Sequence, residues 1–387
     1  MPTSPPSVPA MDGAAFAHPD RRDAGATIPT PRRARPVLWW AALGAAFFAM
    51  QVGVWIRWAT SERFTTTTVG RSEVPEWMRY CILFFQVSTS IALVYVVWRW
   101  IVRPIRREGR FSIEGMLCLS FLLMWWQDPF ANYTQVWVAY NTALANFGSW
   151  TTDTPGWVSP LGHQFGEPFA WIAPTLAVVF AGITFMGAWI LRQVKARHPH
   201  LGKLGLLAVL FAAMLVVDLL LEVLWMRFGV YSYGGSIRWM TIFPGHYYQF
   251  PLYEAVLVAF VMTAFSALVY FRNDNGETVA ERHSTELRVS SHQRTLLRFF
   301  AELGVTHALF TGFNITIQWF VLRADEWPQD VLDRPYLRDG LCGPDTPYSC
   351  SGPGVPIPRE HSVHLDPDGN LVIPDGVSVR DESLIEQ

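Results

Sequence analysis

Charged residues are scarce in this sequence of 387 residues. They make up 16% of the chain, whereas a soluble domain carries about 25%. Hydrophobic residues make up 51%, and 18 residues are tryptophan. The formal net charge is only −2, so nothing indicates a nucleic-acid partner. The shortage of charge, together with several apolar runs of about twenty residues, predicts an integral membrane protein surrounded by membrane lipid.

Cysteine is also rare, and metal-binding patterns are weak. The four cysteines show no zinc-site spacing. No HxxH, HxxxH or HExxH spacing joins the loop histidines His163 and His246, so we expect no metal and no cofactor. No DDxxD-like motif is present, which disfavours a diphosphate substrate. Cys342 and Cys350 either form a disulfide outside the cytoplasm or remain two thiols.

Seven apolar segments are long enough to span a bilayer by the criterion of about twenty residues. They cover roughly residues 37–58, 78–101, 111–127, 168–192, 204–227, 251–271 and 296–322. The predicted fold is therefore all-α, a polytopic integral membrane bundle of about seven helices over residues 37–323. Residues 1–36 predict a disordered basic tail. Residues 324–387 are acidic and rich in proline and glycine, and they predict an extended tail without a core.

Lysine and arginine are concentrated in alternate connections. The N-terminal tail and the second–third, fourth–fifth and sixth–seventh connections carry most of them, whereas none lies between Trp126 and Trp171. Cytoplasmic loops carry the excess of positive charge. We therefore expect the N-terminus in the cytoplasm, and an odd number of spans then puts the C-terminus outside.

Polar residues interrupt the end of the third apolar segment. The stretch "MWWQDPFANYTQ" (Met124–Gln135) places Gln127 and Asp128 directly after two tryptophans, with Asn132 and Tyr133 close behind. A proline after Asp128 disfavours helical geometry there, so we expect the helix to break. The stretch predicts either the rim of a pocket, walled by Trp126 and Tyr133, or an ordinary helix end in an aromatic belt.

Two acids share one face of the fifth segment. Asp218 and Glu222 are four residues apart in "VVDLLLEVLWMRFG". Two like charges at that spacing in a low dielectric cannot both ionise cheaply, so we expect at least one to keep its proton near neutral pH. Such a group can act as a proton donor. The alternative is a buried salt bridge to an arginine.

Polar side chains also follow one face of the seventh segment. His307, Thr311, Asn314 and Gln318 are spaced by four, three and four residues in "GVTHALFTGFNITIQWF", which makes a single stripe. The stripe predicts either substrate contacts in a cavity or hydrogen bonds between helices. Glu254 begins the sixth segment at the same level.

Two loops that precede spans have a weak internal similarity. "PLGHQFGEPFAW" (Pro160–Trp171) precedes the fourth segment, and "FPGHYYQFPLYEA" (Phe243–Ala255) precedes the sixth. The second loop places His246 and Tyr247 near Glu254. The similarity indicates either a duplicated helical hairpin or chance.

These polar residues share a predicted depth in the outer half of the bundle. They describe an apolar cavity with acids and amides in its wall, and such a cavity fits an apolar small-molecule substrate with a few oxygens. The candidate catalytic residues are Asp128, Asp218, Glu222 and Glu254. The candidate substrate-binding residues are Trp126, Gln127, Asn132, Tyr133, His246, Tyr247, His307, Asn314 and Gln318.

The seven spans, the stretch "WWQDPFANY", the loop "GHYYQFPLYE" and the polar last span resemble the AveC-type spirocyclases. These are actinobacterial membrane proteins named for an enzyme of avermectin biosynthesis. The resemblance covers roughly residues 37–325. It implies a dehydrative cyclase of secondary metabolism that closes a spiroketal from a polyketide-like dihydroxyketone, in a bacterial cytoplasmic membrane. The long acidic tail is not expected from the family.

Two other functions fit the same residues. A membrane cyclase of an isoprenoid or lipid substrate also needs acids to start a cation and aromatic rings to guide it. A proton-coupled transporter or a lipid-binding membrane protein would use the intramembrane acids with His307 as a proton relay. The sequence carries no signal for the oligomeric state.

Overall fold

The computed structural model describes residues 35–67, 73–359 and 361–377. The predicted disordered tail lies almost entirely outside these residues, so it stays a prediction. Seven main helices occupy the seven predicted segments. They are α1 (Pro36–Ala59), α2 (Glu76–Glu108), α3 (Ile113–Met124), α4 (Ile172–Arg197), α5 (Lys203–Arg227), α6 (Leu252–Tyr270) and α7 (Ser291–Val321). A short helix, α8 (Gln329–Leu332), follows them.

Five of these helices, all except α3 and α7, are long and apolar enough to cross a membrane. The helix α3 has only 12 residues, because the chain tightens into the 3-10 turn Trp125–Asn132. Pro129 in that turn has no N–H to donate to a longer helix. The helix α7 has 31 residues, but its polar stripe lowers its hydropathy. The structure therefore supports a mainly helical membrane bundle.

The helices pack closely where small residues meet. A Cβ on Gly44 of α1 would lie 2.0 Å from the carbonyl oxygen of Phe300 on α7. A Cβ on Gly304 of α7 would lie 2.1 Å from the carbonyl oxygen of Trp40. These glycines let the two backbones approach, as small residues do in membrane interfaces. The helix α6 is the most enclosed candidate span, with 67% of its apolar window buried, whereas α2 has 11%.

One end of the bundle carries the long connections, and we call it the loop end (residues 125–171, 228–251 and 322–359). A ribbon there pairs β1 (Val138–Tyr140) with β2 (Tyr231–Tyr233), antiparallel. Two shorter pairs join β3 (Thr241–Ile242) to β4 (Phe250–Pro251) and β5 (His364–Leu365) to β6 (Leu371–Val372). The ribbon connects the turn after α3 to the end of α5.

The first part of the predicted C-terminal tail is not extended. Trp327, Val331, Leu337 and Leu341 are buried at the loop end. The backbone carbonyl of Tyr336 accepts a hydrogen bond of 3.0 Å from the amide of Thr142. Cys342 and Cys350 form a disulfide. The expectation of a tail without a core was wrong for this part, because irregular backbone buries apolar residues that show no periodicity in sequence.

Candidate active site

A cavity of about 110 Å³ lies inside the bundle at the loop end. The helices α4 to α7, the turn after α3 and the β1–β2 ribbon enclose it. Large apolar side chains dominate the wall, among them Trp137, Trp171, Trp225, Phe310 and Phe313. Four carboxyl groups also line it, from Asp128, Asp218, Glu222 and Glu254. The structure thus brings together all four candidate catalytic residues in one apolar space.

The helix α4 is irregular where it meets the cavity. Its residues Leu176–Phe180 form a π-helical turn, and Leu176, Val179 and Phe180 line the cavity. Such turns are rare and occur often at functional sites. Here the wider turn contributes three apolar side chains to one wall.

Asp128 lies in the 3-10 turn after α3, where it reaches the cavity. The hydroxyl of Tyr140 on β1 donates a hydrogen bond of 2.5 Å to its Oδ2. Burial raises the pKa of Asp128 to about 6, although the hydrogen bonds from Tyr140 and Glu167 oppose that shift. A carboxyl group with this pKa exchanges a proton readily near neutral pH.

The other three acids form one cluster. Asp218 and Glu222 lie one turn apart on α5, and Glu254 lies in the first turn of α6. One oxygen of each can be chosen so that all three atoms lie within 4.8 Å of one another. The hydroxyls of Tyr231 and Tyr233 both donate to Oε2 of Glu222, the second over 3.0 Å. These two hydrogen bonds fix the position of the Glu222 carboxyl group.

Glu167 is a buried acid that the sequence reasoning missed as a site residue. It is 2% exposed, and its carboxyl group lies against that of Asp128 without lining the cavity. Burial and the neighbouring Asp128 raise the pKa of Glu167 well above its ordinary value. The internal similarity of two loops pointed to it, since Glu167 and Glu254 hold corresponding places there.

The structure therefore contains two pairs of one Asp and one Glu. Glu167, before α4, faces Asp128, and Glu254, at the start of α6, faces Asp218. Both glutamates are nearly fully buried. Two carboxyl groups in such contact share a proton, because both cannot ionise cheaply in a low dielectric.

The predicted amide ligands bind protein instead of lining the cavity. Oδ1 of Asn132 accepts hydrogen bonds of 2.8 Å and 2.9 Å from the amides of Trp137 and Val138. Asn314 donates to the carbonyl of Gln127 over 3.2 Å. Gln318 donates over 3.1 Å to carbonyls in the same turn. The polar stripe of α7 thus holds the turn that carries Asp128 in place through hydrogen bonds.

Other predicted binding residues also lie outside the cavity wall. Trp126 is buried, and its carbonyl accepts from the indole of Trp150 over 2.8 Å. The hydroxyl of Tyr133 donates to the carbonyl of Gly156 over 2.5 Å. His307 is buried, with its ring 5.6 Å from that of Phe47.

The loop residues His246 and Tyr247 lie at the surface of the loop end. The ring of His246 stacks on Tyr248, with centroids 4.8 Å apart. The hydroxyl of Tyr247 donates to the carbonyl of Arg227 over 3.1 Å. Neither residue lines the cavity, so the structure does not bring them to the acids.

Among the described residues, the cluster of Asp218, Glu222 and Glu254 is the group whose spacing could hold a metal ion. Three carboxylates without histidine would suit a hard cation such as Mg²⁺ or Mn²⁺. The same spacing also results when neighbouring acids share protons, so it does not by itself indicate a metal.

Comparison with known protein families gives a match. The family described as "Spirocyclase AveC-like" matches residues 108–337, from the end of α2 into the buried C-terminal segment. The match begins at residue 108, well after the expected start near residue 37, and it ends at residue 337, past the expected end near residue 325. No curated protein and no solved structure gave a significant match. Because the matched region covers more than half of the chain, the protein belongs to the AveC-like spirocyclase family.

Proposed function

We propose that this protein is a membrane-embedded spirocyclase, which closes rings with loss of water on an apolar, oxygenated, polyketide-like substrate. The observation that carries the proposal is the enclosed apolar cavity whose wall contains Asp128 together with the cluster of Asp218, Glu222 and Glu254. Family membership supports the class of reaction. We also propose an actinobacterial cytoplasmic membrane, with the N-terminus inside and the C-terminus outside.

The reaction needs one acid and one base. A dihydroxyketone first adds one hydroxyl to its carbonyl to give a hemiketal. An acid then protonates the hemiketal hydroxyl, which leaves as water and produces an oxocarbenium ion. The second hydroxyl attacks that ion and gives its proton to a base. One water is lost, and no proton is gained or lost overall.

The contacts support a division of these two roles between Asp128 and Glu222. Asp128 is the acid, because burial raises its pKa to about 6 and brings proton transfer close to neutral pH. Glu222 is the base: its carboxyl group lines the cavity, and the hydroxyls of Tyr231 and Tyr233 donate to its Oε2 and hold it in position. Two carboxyl groups with separated roles are a common arrangement in acid–base catalysis.

The apolar wall supports the same chemistry. The rings of Trp137, Trp171 and Trp225 line the cavity, and aromatic faces attract a cation. A wall of this kind excludes bulk water, which would otherwise capture the oxocarbenium ion. Holding the substrate chain folded removes part of the entropic barrier to ring closure.

The buried C-terminal segment binds the β1–β2 ribbon, which forms part of the cavity wall. The carbonyl of Leu337 accepts a hydrogen bond of 3.2 Å from the hydroxyl of Ser232 on β2. Tyr336 binds the loop after β1 in the same way.

The test is conversion of a dihydroxyketone polyketide in membranes that contain equal amounts of each variant. Asp128→Asn keeps the shape of the side chain and removes the proton donor, so conversion should fall at least about a hundredfold. The matched control is Glu302→Gln, which changes a buried acid outside the cavity and should leave conversion unchanged. Wild-type conversion by Asp128→Asn would contradict the assignment. Conversion of an isoprenoid instead of the dihydroxyketone would favour the other type of cyclase.

A further inference from the structure

Glu167 occupies a place next to the proposed acid but not in contact with the cavity. It precedes Pro168 and the start of α4, and its side chain is 2% exposed. Its carboxyl group lies against Asp128 and the indole of Trp125. Its Oε2 accepts no hydrogen bond from any described residue. A proton on this carboxyl group, donated to Asp128, would satisfy both groups.

The charged and titratable groups around this pair are almost all acids or phenols. Tyr140 on β1 donates a hydrogen bond to Asp128, and the charges of Glu222 on α5 and Asp128 repel each other. The charge of Asp339, in the C-terminal segment, also opposes ionisation of Glu167. None of the groups that act on the pair is a lysine, arginine or histidine. A shared proton, rather than an ion pair, therefore holds the two carboxyl groups together.

The hydrogen bonds decide which acid keeps that proton. Asp128 accepts from Tyr140 over 2.5 Å, and an accepted bond stabilises its ionised form. Glu167 lies beside the indole of Trp125, but its Oε2 accepts no hydrogen bond from a described residue, and a neighbouring acid opposes its ionisation. Glu167 is thus the group that remains neutral when Asp128 loses its proton.

The loop that carries Glu167 is fixed from the C-terminal segment. Oδ2 of Asp339 accepts a hydrogen bond of 3.1 Å from the amide of Gly166, and Asp339 is 2% exposed. Asp339 lies two residues beyond the region matched by the family. The segment predicted to be an extended tail therefore holds a residue of the candidate site in position.

From this geometry we propose that Glu167 is a positioning residue for the reaction. It acts as a neutral donor that orients the Asp128 carboxyl group and stabilises its anion. This inference rests on the proposed function, since it assigns Asp128 the acid's role. Asp128 gives its proton to the leaving hydroxyl, which departs as water. The resulting anion accepts from Glu167 and Tyr140 until Asp128 is protonated again, and Glu167 never touches the substrate.

The experiment compares Glu167→Leu with Glu167→Gln. Leucine cannot donate, so the Asp128 anion loses support. The pH at which conversion falls should rise by about one unit, and kcat should fall about tenfold with KM unchanged. Glutamine keeps an N–H donor and should restore the wild-type pH profile. Glu76→Gln, the same change at an exposed position, is the control. A profile that stays in place in Glu167→Leu would overturn the proposal.

A second measurement needs neither substrate nor the leucine variant. Infrared spectra of the purified protein at pH 8 should contain a protonated carboxyl band that Glu167→Gln removes and Glu76→Gln retains. The Asp218–Glu254 pair contributes protonated carboxyl absorption of its own, so the decisive quantity is the part of the absorption that Glu167→Gln removes and Asp218→Asn retains. If Glu167→Gln removes no part of the absorption, the proton lies elsewhere and the inference is overturned. If the band behaves as expected but Asp128→Asn still converts the dihydroxyketone, the proposed function fails while the proton remains assigned to Glu167.

Discussion

Tyr140 donates a hydrogen bond of 2.5 Å to Oδ2 of Asp128 and thereby joins the β1–β2 ribbon to the turn that carries the proposed acid. The bond crosses from one wall element of the cavity to another. It also opposes the effect of burial on the pKa of Asp128. The ribbon therefore influences both where the carboxyl group lies and when it holds a proton.

The first prediction concerns the pH dependence of conversion. Asp128 must be protonated to act as an acid, so conversion should fall as pH rises through its pKa of about 6. Because the base must be ionised, conversion should also fall at low pH, and the profile is bell-shaped. Tyr140→Phe removes a donor that favours the anion. The pKa should then rise, and the fall in conversion should move upward by about one pH unit.

Tyr133→Phe is the control for this change. The hydroxyl of Tyr133 binds the carbonyl of Gly156 and not Asp128. Its loss should leave the pH profile in place. If Tyr140→Phe also leaves the pH profile unchanged, the fall in conversion does not come from ionisation of Asp128. The acid must then be one of Asp218, Glu222 and Glu254.

The second prediction concerns the pair formed by Asp218 and Glu254. These buried carboxyl groups face each other, so we expect them to share one proton at pH 7. An infrared band of a protonated carboxyl group should disappear in Asp218→Asn or Glu254→Gln, whereas Glu222→Gln should retain it. If neither of the first two changes removes a band, both groups are ionised, and a bound cation becomes the better explanation of their spacing.

The third prediction separates a structural role from substrate binding. Asn132 makes three hydrogen bonds to the backbone of Trp137 and Val138. Each typically contributes about 1 kcal/mol, so Asn132→Ala should lower the free energy of unfolding by about 3 kcal/mol. Thermal unfolding in detergent measures the loss. Asn132→Ala protein that remains folded should have the KM of the wild type, because Asn132 does not contact substrate.

Thr316→Ala provides a comparison for Asn132→Ala. The hydroxyl of Thr316 is exposed and binds only the carbonyl of Gly312 in its own helix, so its removal should change stability little. An Asn132→Ala protein of normal stability with a strongly raised KM would instead support the sequence-based expectation that Asn132 binds substrate.

The acids that line the cavity were predictable because charge within apolar segments is costly and therefore easy to recognise. Asp128, Asp218, Glu222 and Glu254 all stood out in this way. Helical spacing alone placed Asp218 and Glu222 on one face. The break after Met124 followed from Pro129. These features depend on neighbouring residues in the chain, so they could be predicted from the sequence.

The remaining parts of the site depend on contacts between distant segments. Glu167 lies in a loop where an acid is ordinary, and only its folding against Asp128 makes it unusual. Gln127 and Asn132 were predicted to bind substrate because a side chain's hydrogen-bond partner cannot be read from its type. Trp327 and Leu337 are buried without periodicity, so the packing of their segment left no pattern in the sequence.

The last prediction concerns the disulfide between Cys342 and Cys350. Disulfides persist outside the cytoplasm and are rare within it, so this bond supports the orientation predicted from the loop arginines. In intact cells, a membrane-impermeant maleimide should therefore label Cys342 and Cys350 only after their disulfide has been reduced. Cys81 and Cys118, which lie in helices and are not bonded, should be replaced by serine or alanine beforehand to remove background.

The orientation also has an independent measurement that does not use cysteine. A reporter that is active only outside the cytoplasm should work when fused after Gln387. A fusion that is active only in the cytoplasm would contradict the orientation, and it would leave the bond in a reducing compartment. Cys342→Ser together with Cys350→Ser tests what the bond does for the fold. Because the pair closes a short loop in the segment that carries Asp339, its loss should lower thermal stability and make that segment more sensitive to external protease.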